Sequence, residues 1–111
     1  MSRLRLSEVH PHLSATIAWL LGINPLARTV ADLPYFGVCG CSRTCQNLLT
    51  SPPGSASPRS LPLLLDGEEV IGLSLDPTGM VITDIEVRDP TLYGQSNETS
   101  GNIRLRPQPS R

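Results

Sequence analysis

Residues 61–87, LPLLLDGEEVIGLSLDPTGMVITDIEV, decide the fold, because two turn signals divide them into three apolar runs with strand-like alternation. Asp66-Gly67 is a two-residue connection of the type I′ kind, in which Gly supplies the positive φ that hairpin twist requires. In Asp76-Pro77-Thr78-Gly79, Pro presets φ at the second position of a type I turn and Gly takes the left-handed position after it. A three-residue loop then pairs Asp76 with Met80. Counting outward, Leu75 faces Val81, Leu73 faces Thr83 and Ile71 faces Ile85, so one side of the hairpin becomes almost wholly apolar. Gly72, Ser74, Asp84 and Glu86 fall on the other side with Val70 and Ile82. Shifting this register by one residue would carry two carboxylates among the leucines, which disfavours the alternative. The stretch predicts a three-stranded antiparallel meander.

Upstream, residues 13–21, LSATIAWLL, predict a short helix with Leu13, Ile17, Leu20 and Leu21 on one face. Ala15, Ala18 and Trp19 occupy the other side, so the helix is apolar nearly all round, the mark of burial on several sides or of an interface. Asn24-Pro25 is a helix start, with Asn as cap and Pro where its missing N–H is not needed. A second, amphipathic helix is expected over residues 25–33, with Leu26, Val30 and Leu33 inward and Arg28 and Asp32 outward. Residues 51–60, SPPGSASPRS, have the composition of a flexible linker, and residues 95–111 that of a mobile tail. The expected fold class is therefore α+β: two short N-terminal helices packed on a small three-stranded antiparallel β-meander. Its expected divisions are a helical segment with a Gly/Cys loop at 1–50, the linker at 51–60, the meander at 61–94 and the tail at 95–111.

Composition narrows the function classes. In 111 residues there are 11 prolines, and the aromatic fraction is 4%, supplied by Trp19, Tyr35, Phe36 and Tyr93. A core with so few large anchors is small and gains from a partner, a metal or a second copy. The net charge of −1 supplies no field for nucleic acid or an anionic membrane. All 9 basic residues are arginine, which is read as coding bias, since either base serves on a solvated surface. The apolar run at 13–21 is far shorter than the ~20 residues of a transmembrane span. A secretory signal built on Arg3, Arg5 and that run is weakened by Glu8 and by the break at residues 22–25, so an intracellular setting is favoured over a secreted one.

The chemistry-bearing motif is C-x-C-x3-C at Cys39, Cys41 and Cys45, with glycines at 37 and 40 that let backbone approach an ion closely. With His12, from the H-x-H pair of His10 and His12, it composes a Cys3His zinc set. The competing expectation is of partly buried thiols in a reduced compartment, with no cofactor; a secreted, disulfide-bonded peptide is a third reading, although three cysteines leave one over. Neither the cysteines nor the paired acids Asp84 and Glu86, which share a solvated face, compose a catalytic set on spacing alone. The expected function is that of a small non-enzymatic interaction or accessory protein, self-associating or completed by a protein partner, with Trp19, Leu20, Ile71 and Leu73 at the interface.

Overall fold

The computed structural model describes residues 4–40 and 45–94. Cys41 and the tail expected to be mobile lie outside the described residues. The architecture is α+β, with helices α1 (Leu6–Val9) and α2 (Pro11–Leu21), a 3₁₀ helix (Pro25–Asp32) and a second 3₁₀ helix (Pro90–Tyr93). The sheet has five strands rather than the three expected: β1 (Gly37–Val38), β2 (Leu48–Leu49), β3 (Arg59–Leu65), β4 (Glu68–Leu75) and β5 (Ile82–Val87). They are ordered β1-β2-β5-β4-β3, and every neighbouring pair is antiparallel. The two additional strands are two residues each, too short to show alternation in sequence.

The β3–β4 hairpin follows the sequence expectation. Asp66 and Gly67 both have positive φ (54° and 83°), as a type I′ turn demands, and Leu65 pairs with Glu68. The β4–β5 hairpin departs from it. The Asp76 N–H donates to the carbonyl of Val81 at 3.0 Å, so the loop holds residues 77–80 and the Asp76–Met80 pairing does not form. The Asp76 carboxylate is the cause: its Oδ1 accepts from Thr78 Oγ1 at 2.8 Å and from the N–H groups of Met80 and Val81, each at 3.2 Å.

The longer loop slips the register by one residue, and a bulge just beyond it adds a second. Leu73 lies opposite Ile85 rather than Thr83, and Ile71 opposite Val87 rather than Ile85. A slip of two preserves the face on which each side chain points. Near the turn, however, Leu75 pairs with Ile82 while Ser74 pairs with Asp84, which leaves Thr83 as a bulge residue. Ile82 is thereby turned into the core and Val81 left 46% exposed, the reverse of the expected assignment. A second bulge at Val70 lets its carbonyl accept from the N–H groups of Arg88 (2.9 Å) and Asp89 (3.3 Å).

One core joins the layers. Leu6, Leu13, Ile17, Leu21, Leu26, Val30 and Leu33 from the helical part are buried with Leu48, Leu63, Ile71, Leu73, Leu75, Ile82 and Ile85 from the sheet part. Residues 4–6 are fastened to the chain that follows the first 3₁₀ helix, through Leu6 N–H to Leu33 O (2.9 Å) and Tyr35 N–H to Leu4 O (2.8 Å). That strap places α1, and with it His10, beside β1. The expected second helix forms as a 3₁₀ helix capped by Asn24, whose Oδ1 accepts from Leu26 N–H at 2.9 Å.

Candidate functional site

His10 joins α1 to α2: its N–H donates to Leu6 O at 2.7 Å, and its carbonyl accepts from Ser14 N–H at 2.9 Å. A non-helical ψ of 70° at His10 turns the chain between the helices, and the imidazole lies edge-on against two phenols. Ring centroids are 5.7 Å from Tyr35 and 5.1 Å from Tyr93. Tyr93 is presented by the second 3₁₀ helix, which Asp89 caps by accepting from Thr91 N–H at 3.1 Å.

His10 and Tyr93 form one wall of an open concavity of about 460 Å³, lined also by Val38, Cys39, Cys45, Gln46 and Leu48. Cys39 leaves the end of β1 with its N–H donating to Asn47 O at 2.7 Å, which holds the base of the β1–β2 hairpin closed. Both Cys39 and Cys45 are half-buried. Burial lowers the pKa of His10 below its ordinary 6.5, so at neutral pH the imidazole is uncharged and can accept a proton. Burial, then the neighbouring Tyr35, raises the pKa of Tyr93, which keeps its hydroxyl a donor.

Of the residues expected to ligate zinc, Cys39 and Cys45 share this concavity. Cys41 lies outside the described residues. His12 is exposed and packs on Gly94, where an added Cβ would stand 3.0 Å from His12 Cβ. The imidazole in the lining of the same concavity is that of His10. Spacing alone does not separate His10 from His12; the distinguishing signal is Pro11, which starts α2 and leaves His10 at the bend. Among the described residues no group of three His, Cys, Asp or Glu side chains is placed to hold a metal ion.

The expected interface set divides. Ile71 and Leu73 are wholly buried in the chain's own core, and Leu20 is half-buried against it. Trp19 is 69% exposed, and Ala15, one turn before it on α2, and Ile23, just past the helix end, are exposed as well. Ile23 follows the α2 terminus and had no period to mark it as part of this stripe.

On the polar side of the sheet, Arg88 bridges Glu69 (2.9 Å) and Glu86 (3.3 Å) over a shallow groove of about 310 Å³. These ions are solvated, and such pairs contribute little. Asp84, two residues from Glu86, has a buried Oδ1 without a hydrogen-bond partner among the described residues. No helix among the described residues is long and apolar enough to cross a membrane. The chain matches no known family model, no curated protein and no solved structure, so any functional reading rests on these surfaces alone.

Proposed function

We propose that the chain is a small non-enzymatic interaction protein, self-associating or completed by a protein partner, whose contact surface is centred on Trp19. The observation that carries this reading is the exposure of the sole tryptophan, 69%, on a helix whose opposite face already fills the core. Leu13, Ile17 and Leu21 seat α2 in the core, and among the described residues Ala15, Trp19 and Ile23 contribute nothing to it. A large aromatic displayed beside aliphatic neighbours is the composition of an interaction hot spot. Sedimentation velocity of the protein and of Trp19→Glu across micromolar concentrations tests it. Concentration-dependent association that the substitution abolishes, with the fold intact by circular dichroism, is expected. Identical monomeric sedimentation of both proteins, without and with a cell extract, would remove the reading.

A second reading has one observation of its own. Cys39 and Cys45 line one concavity with His10, and the zinc-binding module expected from the Cys39/Cys41/Cys45 cluster would have to draw an imidazole nearer to the thiols than the described residues place it. This reading requires Cys41 as a further thiolate. Elemental analysis of purified protein tests it: stoichiometric zinc lost in Cys41→Ser is expected, and metal-free protein with an unchanged melting profile contradicts it.

A further inference from the structure

The lining of the concavity includes two thiols and an uncharged imidazole, a combination for which association through Trp19 has no use. Register fixes the relation of the thiols. Gly37 pairs with Leu49 and Val38 with Leu48, and the Cys39 N–H reaches Asn47 O at 2.7 Å, so Cys39 stands opposite Asn47. Cys45 precedes Asn47 by two positions, which makes it the diagonal neighbour of Cys39 across the hairpin. Diagonal neighbours lie roughly 7–8 Å apart between Cα atoms. A disulfide spans about 4.4–6.8 Å. Joining these two cysteines therefore requires the hairpin end to tighten by about an ångström or two. A cross-link formed under such strain is readily reduced, the behaviour of a redox pair rather than of a permanent staple.

From this geometry we propose that Cys39 and Cys45 form a reversible dithiol–disulfide pair, oxidised by a small-molecule disulfide that enters the concavity beside His10. In the first step the His10 imidazole accepts the proton of one thiol, and the thiolate attacks a sulfur of the incoming disulfide. The S–S bond of that molecule breaks, its departing thiolate takes the proton back from the imidazolium, and a mixed disulfide remains on the protein. The second cysteine then loses its proton to the same base and attacks the protein sulfur of the mixed disulfide. The new Cys39–Cys45 bond forms as the second small thiolate leaves and is protonated. Two protein thiols are oxidised and one small disulfide is reduced to two thiols, so electrons and protons balance.

The surroundings suit this chemistry. His10 is kept uncharged by burial and is held between Tyr35 and Tyr93. The space of about 460 Å³ falls within the roughly 300–1,000 Å³ of small-molecule sites, with Gln46 and Tyr93 as polar anchors. The exchange is stoichiometric and uses none of the exposed residues of α2, so it stands or falls separately from association.

The full-length Cys41→Ser protein, which retains only the two cysteines concerned, is treated with excess oxidised glutathione, quenched in acid and digested with trypsin without reduction. Cleavage after Arg43 places Cys39 on the peptide of residues 29–43 and Cys45 on that of residues 44–59. Monomeric protein whose two peptides are joined by a disulfide, with both thiols consumed, is the expected result. A persistent glutathione adduct without the cross-link, or a bond only between two copies of the chain, overturns the proposal. In a second variant, His10→Gln added to Cys41→Ser slows thiol consumption in the folded protein and leaves it unchanged in guanidinium. An unaltered rate in the folded protein removes the role assigned to His10.

Discussion

His10 ends one helix, starts the next and carries an imidazole between two tyrosine rings, so its ionisation is coupled to folding. Its folded pKa lies below the unfolded value of about 6.5, because burial disfavours the charged ring. At pH above 6.5 both states are uncharged and the native contacts are fully available. As pH falls through that value the unfolded chain takes up a proton before the folded one does, and stability declines toward the lowered folded pKa. Denaturant melts at a series of pH values between about 8 and 5 should show this decline, and His10→Gln should flatten it. An equal slope in the variant would locate the acid sensitivity elsewhere. Asp76 adds a later stage with the same sign: its carboxyl is held below the usual range by Thr78 and by the N–H groups of Val81, Met80 and Gly79, so its contribution is lost only in stronger acid.

Gly79 is the other residue at which a local conformation decides stability. Its φ of 75° is in the left-handed region, and a Cβ there would meet Arg59 Cδ at 3.4 Å. Replacement by a β-branched residue strains the backbone by about 1–2 kcal/mol. Gly79→Val should therefore lower the unfolding free energy by that amount in urea titration. An unchanged midpoint would mean that the loop is built differently.

At the scale of elements, legibility follows length and periodicity. β4 and β5 are long enough to alternate, and their inward faces could be read from Ile71, Leu73 and Ile85. The type I′ turn was readable because two adjacent residues carry the whole signal. The β4–β5 turn was misread because the Asp76 side chain competes for the N–H groups of Met80 and Val81, and sequence pattern does not weigh that competition. Thr83 shows what the bulge accomplishes. Its carbonyl accepts from Thr50 N–H at 3.0 Å, in line with the β2–β5 pairing, and from Ser51 Oγ at 3.2 Å, while its Oγ1 meets Ser57 Oγ at 2.6 Å. Part of the segment read as a linker is thus tied to the sheet.

Thr50 is the hinge of that arrangement. It is 2% exposed, and its hydroxyl donates to Ile82 O at 2.6 Å. Thr50→Val keeps the shape and removes the bond, so it should destabilise the protein by about 1 kcal/mol. The check is the urea midpoint at constant slope. A neutral result would imply that the Ile82 carbonyl finds another donor.

At the scale of the whole molecule, the described residues leave an apolar surface around Trp19 uncovered. The helical part and the sheet bury each other, as expected of helices packed on the apolar face of a sheet. Which side of α2 would be left over was less evident, since the helix is apolar nearly all round. The core selected Leu13, Ile17 and Leu21 and left Trp19 outside. The cysteine site was only half legible. Its spacing named the thiols, whereas the imidazole came to the lining of the same concavity through the strap of residues 4–6 against residues 33–35, a long-range contact with no local pattern.

Because Trp19 is the chain's sole tryptophan, its fluorescence reports on the proposed contact without a label. The emission spectrum of the folded protein should be water-like when dilute and should shift to the blue as concentration rises or a partner is added, with half-saturation matching the association seen by sedimentation. Emission that stays water-like at every concentration and in the presence of cell extract would contradict the assignment of this surface as an interface.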